Sequence, residues 1–235
     1  METYIVRVWL PDRPGALGAV ASRIGAVRGD VVGIDILERG AGRAIDELVV
    51  QLPDTSLLDL LVSEVGEVDG VDVEDVRPAA EPPDGRLDAL DDAAMLVAAP
   101  TFATLLHELV ASAHRGLESD WTAAVDFEDR LLVAAEGSPP PPAWLAAFVA
   151  GSRSSAAVVA GDCGPDDAAC SLVDGTSLAV VLGRRGRPFR ARERRQLAAL
   201  ARIAGLRAAQ IAAAVPGGLA TAPTVPAAMD HGATV

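Results

Sequence analysis

The hydrophobic period of the chain changes once within its first thirty residues, and this change constrains the fold more than any other feature. Apolar side chains occupy every second position from Tyr4 to Leu10, the pattern of a strand with one buried face. After Asp12-Arg13-Pro14-Gly15, apolar residues recur at helical spacing from Leu17 to Val27. One short loop therefore ends a strand, predicted over 3–10, and begins a helix, predicted over 14–28.

The loop has two interpretations. Asp12 suits an N-cap, Pro14 is tolerated in the first helical turn, and Gly15 lets a ligand approach the backbone closely. The N–H groups of a helix start also attract a carboxylate. The loop is either a well-capped strand-to-helix turn or the anion-binding end of a ligand site.

The pattern continues to about residue 76 and predicts a βαββαβ order. Strands are predicted over 31–38, 43–52 and 71–76, with a glycine turn between the first two of these. A helix capped by Thr55 or Ser56 precedes the last strand. This order predicts a ferredoxin-like fold, in which both helices pack on one face of a four-stranded antiparallel sheet.

Residues 3–77 resemble the ACT domain, the small-molecule-sensing module of many enzymes of amino-acid metabolism. The resemblance rests on the loop 12–17, on Gly29-Asp30-Val31-Val32 and on the hairpin into Asp46-Glu47-Leu48-Val49-Val50. It implies a ligand between the first helix and the second strand, with a carboxylate near Gly15, an ammonium group near Asp12 or a strand carbonyl, and pairing of two copies edge to edge. The ligand-binding residues it implies are Asp12, Arg13, Gly15, Ala16, Leu17, Val31 and Val32.

A second domain is predicted after a proline-rich, acidic linker. The predicted domains are 1–78 and 87–214, with the linker over 79–86 and a disordered tail over 215–235. The second domain is predicted to contain helices, about five strands (156–160 among them) and a closing helix over 188–214. Such an antiparallel sheet flanked by helices, ending in Gly183-Arg184-Arg185-Gly186 and Arg187-Pro188-Phe189, is similar to the GAF/PAS class of sensor domains. The predicted fold class is α+β throughout.

Charge and motifs limit the functions that this chain can have. The net charge of −13 argues against nucleic-acid or anionic-membrane binding by the whole surface. The start of the chain lacks the pattern of a signal peptide, which predicts a cytoplasmic protein. Two cysteines are too few for a disulfide framework, His107 and His114 cannot ligate one metal, and no catalytic or cofactor motif is recognisable, so we expect no metal and no cofactor.

Positive charge is dense at one place only, the arginine cluster that includes Arg184, Arg185 and Arg187. The cluster is a contact for an anion or an acidic partner, or else a solvated turn whose arginines pair with the chain's acids. The sequence as a whole predicts a non-catalytic, homodimeric sensor that binds a small metabolite, an amino acid above all. The alternatives are an adaptor for an unidentified protein partner and an enzyme whose site lies in the second domain.

Overall fold

The computed structural model describes residues 1–79, 85–159 and 164–214. They form two compact units that alternate along the chain. Of the described residues, unit 1 comprises 1–79, 85–91, 157–159, 164–169 and 184–196, and unit 2 comprises 92–156, 170–183 and 197–214. Most of the predicted linker and all of the predicted tail lie outside the described residues, so both stay predictions.

Unit 1 contains a four-stranded antiparallel sheet with two helices on one face. Its elements are β1 (Glu2–Pro11), α1 (Ala16–Ala26), β2 (Asp30–Gly40), β3 (Arg43–Leu52), a 3-10 turn (Thr55–Leu57), α2 (Leu58–Gly66) and β4 (Asp72–Ala79). The strand order is β2-β3-β1-β4, and every neighbouring pair is antiparallel. The predicted ferredoxin-like fold is thereby confirmed.

Alternation along the strands builds the core of unit 1. Even-numbered residues of the central strands, such as Val6 in β1 and Leu48 in β3, are fully buried under the helices. Helix α1 adds Val20 and Ile24 to the same cluster. The odd-numbered residues of these strands point to the opposite face of the sheet, which consequently carries different chemistry.

Both helix starts in unit 1 differ from their predictions. Gly15 precedes α1 with φ of 89°, a left-handed conformation that glycine adopts without strain, so the helix begins at Ala16 and no side chain caps it. Asp12 is therefore not the N-cap; its backbone N–H donates to the Gly42 carbonyl at 2.9 Å. In the second helical segment Asp54, rather than Thr55 or Ser56, accepts from the Ser56 N–H at 2.7 Å.

The rest of the chain forms a second antiparallel sheet and its helices. The elements are α3 (Gly85–Ala98), α4 (Phe102–Gly116), β5 (Trp121–Asp126), β6 (Leu131–Gly137), α5 (Pro142–Arg153), α6 (Ala156–Val159), β7 (Ala168–Leu172), β8 (Leu178–Gly183) and α7 (Ala191–Ala214). The sheet order is β6-β5-β8-β7. The strand predicted over 156–160 is wrong over its described part, because this short Ala-rich stretch is the helix α6; Ala160 itself is not described.

Helix α7 begins at Ala191 instead of Pro188, and ahead of it the Phe189 N–H donates to the Asp166 carbonyl at 2.8 Å. By length and composition it is apolar enough to cross a membrane, which is weak evidence because the core helix of a soluble protein passes the same test. Its unit 2 part contains the buried residues Leu197, Ala201 and Ala204, and 33% of the helix's most apolar window is buried.

Candidate functional site

The start of α1 is open to solvent at the loop where the sequence predicts ligand binding. Asp12, Arg13 and Gly15 are exposed, Ala16 is buried and Leu17 is half-buried. Because no side chain caps the helix, the N–H groups of its second and third residues have no acceptor within it. A Cβ built on Gly15 would have no neighbour within 4 Å. The backbone here is accessible to a small anion.

Strand β2 lies at the edge of the sheet beside α1 and presents apolar side chains to solvent. Val32, Ile34 and Ile36 are 43%, 47% and 40% exposed. Val31 packs against the same hydrophobic cluster as Leu17. The register shifts between Val31 and Gly33 and again between Ile36 and Glu38, so two bulges enclose this apolar stretch. The structure brings Ala16, Leu17 and Val31 together, whereas Val32 stands outside that cluster.

Asp46 in β3 is a candidate that the sequence prediction missed. Its residue is only 3% exposed, and its Oδ1 has no hydrogen-bond partner. It lies opposite Val8 in β1 and Ile36 in β2. Burial raises the pKa of its carboxyl; Arg39 opposes this rise and Asp12 adds to it. The sequence could have indicated that Asp46 faces inward, because it lies two residues from the inward-facing Leu48 and so on the same face of the strand.

The three arginines predicted to contact an anion or an acidic partner differ in their exposure to solvent. Arg184 is 3% exposed, its Nη2 lies 2.6 Å from Glu193 Oε1, and it donates to the Arg187 and Pro188 carbonyls. Burial lowers its pKa to about 10, although Glu193 opposes the shift. Arg185 is exposed and Arg187 half-buried. The Arg184 side chain therefore bonds to groups within unit 1. A contact between an anion and Arg185 or Arg187 stays a prediction.

Arg7 in β1 organises the charges on the sheet face opposite the helices. It is 1% exposed, and its Nη2 lies 2.9 Å from Glu47 Oε1 and 3.4 Å from Glu193 Oε1. Burial alone would raise the pKa of Glu47, but Arg7 and Arg77 outweigh it and hold the pKa below its usual value. We call Arg7, Glu47, Glu74, Arg77, Arg184, Arg190 and Glu193 the Arg7 cluster. Through it the segment 184–196 is bound to this face of the sheet.

Unit 2 contains an apolar cavity of about 260 Å³. Its walls come from α7, from the first residue of α4 and from the turn between β7 and β8. Asp174 and Thr176 are the polar side chains among its lining residues, and Thr176 already bonds to the Val173 carbonyl and the Leu178 N–H. Among the described residues no group of three His, Cys, Asp or Glu side chains is arranged to hold a metal ion.

The geometry of unit 1 defines its class as a ferredoxin-like α+β module with an open helix start beside an apolar edge strand. The sequence matches no protein-family model and no curated protein. Solved structures similar to it include the ACT domain of GTP pyrophosphokinase from Chlorobium tepidum, with 18% identity, a TM-score of 0.28, and coverage of 34% of this chain and 100% of that domain.

Two further structures are similar at the same level. A formyltetrahydrofolate deformylase from Pseudomonas putida KT2440 has 19% identity and a TM-score of 0.26, over 37% of this chain and 36% of the deformylase. An unknown protein from Galdieria sulphuraria has 9% identity and a TM-score of 0.31, over 77% and 79% of the two chains. Likenesses this weak establish neither a family nor a function, and none of the three is described as a GAF domain.

Proposed function

We propose that the protein is a non-catalytic regulatory sensor of the cytoplasm that binds an amino acid between the start of α1 and β2. The observation that carries this proposal is the uncapped N-terminus of α1 beside an edge strand with three exposed apolar side chains. A carboxylate is favoured at such a helix start by free N–H groups and by the helix dipole. The apolar strand complements a hydrocarbon side chain.

The charges around the loop suit a zwitterion better than a simple anion. Asp12 is exposed beside the helix start, where its carboxylate attracts an ammonium group and repels a second anion. Arg13 lies 3.7 Å from the exposed Asp69 at the other side of the loop. A ligand with both charges on one carbon satisfies the helix N-terminus and the acid together.

We propose that the effect of ligand binding is transmitted through β2 to α7. Asp35, on the face of β2 opposite Ile34 and Ile36, forms an ion pair with Arg192 in the first turn of α7. A ligand that binds one arrangement of β2 better than another shifts the equilibrium by its differential affinity. Because Arg192 is paired with Asp35, we expect such a shift to move the first turn of α7 as well.

A thermal-shift screen of the twenty amino acids at millimolar concentration tests the proposal. We expect at least one amino acid to raise the Tm of the full chain, and Asp12→Ala and Gly15→Val to reduce that rise. Gly25→Ala, at the far end of α1 where a Cβ meets nothing within 4 Å, is the matched control. If no amino acid stabilises the wild type, or if both variants respond as it does, the proposal is wrong and the adaptor function is favoured.

A further inference from the structure

We propose that Asp46 accepts the ammonium group of the ligand and thereby restricts the site to α-amino acids with an apolar side chain, excluding the corresponding acids that lack the amine. This inference rests on the proposed function and adds to it a residue that determines specificity. It starts from a buried carboxyl group whose Oδ1 has no hydrogen-bond partner.

The position of Asp46 follows from the register of the sheet. The pairs Val8–Asp46 and Leu10–Ala44 lie on the helix-facing side of the sheet, and Pro11–Arg43 is the last pair before the loop to α1. Ala16, the first residue of α1, belongs to the same buried cluster as Val8 and Ala44. Asp46 therefore lies under the end of the helix layer at which α1 starts.

The burial of Asp46 is unfavourable unless something compensates it. A buried carboxylate with an unsatisfied oxygen loses its hydration without a replacement. Among the described residues no Arg, Lys or His nitrogen lies within ion-pair distance of this carboxyl, and the charged groups that influence it are Arg39 from β2 and Asp12 from the loop. Asp46 and Asp12 carry two negative charges and the exposed Arg39 carries one positive charge. One further cation would therefore balance the charges at this place.

An α-amino acid meets three requirements of this place at once. Its carboxylate suits the uncapped N–H groups at the start of α1, and its ammonium group suits Asp46 with Asp12 nearby. Its side chain suits β2, where Ile36 is the direct neighbour of Asp46 across the sheet and Ile34 is the next exposed residue on that face. A ligand without the amine leaves the acid buried and unpaired, which is the arrangement that discriminates most strongly between related ligands.

Calorimetry with matched pairs of probes tests the inference at pH 7.5 on the full chain. The probes are L-leucine with 4-methylpentanoate and L-phenylalanine with 3-phenylpropanoate, which differ within each pair by the amine alone. We expect the wild type to bind the amino acid of at least one pair about tenfold or more tightly than its partner. We expect Asp46→Asn to weaken amino-acid binding by about ten- to hundredfold and to leave the deaminated acid unaffected.

Two controls separate the possible failures. Glu47→Gln removes the neighbouring carboxylate, which faces the other side of the sheet, and should keep the preference for the amine. Asp46→Asn should stay folded, with a Tm at pH 7.5 no lower than that of the wild type. Equal binding of both members of each pair by the wild type, or unchanged amino-acid binding by Asp46→Asn, would overturn the role of Asp46 alone. If the wild type binds no amino acid in the twenty-member screen, the proposed function itself fails.

Discussion

Arg7 shows how one residue can connect distant parts of the sequence. Alternation along β1 turns its side chain away from the apolar core and into the Arg7 cluster, where it also donates to the Pro188 carbonyl at 2.9 Å. The sequence indicates that Arg7 faces the side opposite Val6 and Val8. It does not indicate a partner 186 positions away, because no local pattern encodes a contact at that separation.

Replacing Arg7 should destabilise unit 1 strongly. In Arg7→Met the carboxylates of Glu47 and Glu193, whose side chains are only 15% and 11% exposed, lose a compensating charge. We expect the free energy of unfolding to fall by about 3–5 kcal/mol. Arg43→Met is the matched control, since Arg43 pairs with Asp72 at 2.7 Å but is 41% exposed, and it should cost at most about 1 kcal/mol. Urea unfolding of both variants gives the comparison; losses of similar size would contradict the role given to burial.

Asp46 and Glu47 are sequence neighbours that should respond to pH in opposite ways. The lowered pKa of Glu47 contributes stability above 4.5, its ordinary value, and this contribution is lost as pH falls through the folded-state pKa. The raised pKa of Asp46 destabilises the fold as pH rises above 3.8.

We therefore expect Glu47→Gln to be less stable than the wild type at pH 7, by about 1–3 kcal/mol, with the difference disappearing in acid. Asp46→Asn should be the more stable protein at pH 7, and its advantage should shrink as the pH falls toward 3.8. Thermal unfolding between pH 3 and pH 8 measures both. Parallel pH profiles for the two variants would contradict these assignments.

At the scale of elements, the hydrophobic period was sufficient to predict most of the architecture. All four strands of unit 1 lie where the alternation places them. The errors fall at the starts of helices and at α6. The left-handed Gly15 ahead of α1 and the Phe189 bond ahead of α7 leave no periodic signal in the sequence. Asp46 was missed for another reason. Its place on the inward face of β3 can be read from the alternation, but only the three-dimensional structure shows that its Oδ1 has no hydrogen-bond partner.

Two glycines in helices of unit 2 should respond oppositely to the same substitution. A Cβ on Gly205 of α7 would lie 2.8 Å from the Asp174 carbonyl oxygen, whereas a Cβ on Gly151 of α5 would meet nothing within 4 Å. We expect Gly205→Ala to lower the free energy of unfolding by about 1–3 kcal/mol because backbone must move. Gly151→Ala should raise it by about 0.5–1 kcal/mol through helix propensity. Chemical denaturation tests the pair, and stabilisation by both would show that α7 has room at this turn.

At the scale of the whole molecule, the exposed apolar stretch of β2 is the surface by which we expect two copies to pair. Ile34→Lys should convert a dimer into a monomer, because it places a charge in the middle of that stretch. Leu60→Lys in α2 is the matched control, since Leu60 and Ile34 are both 47% exposed. Light scattering after size-exclusion chromatography measures the mass. A monomeric wild type, or equal loss of the dimer in both variants, would contradict this surface.

The two bulges of β2 determine what such pairing can become. They limit the regular, accessible backbone of β2 to a few residues. The opposite edge strand of the sheet, β4, is protected by Pro78, which lacks an N–H, and by the acids Asp72, Glu74 and Asp75. Within the described part of this sheet, strand addition is therefore favoured at β2 over β4. If two copies pair through β2, we expect the assembly to stop at a closed pair instead of growing into the open-ended fibres to which two adhesive borders would lead.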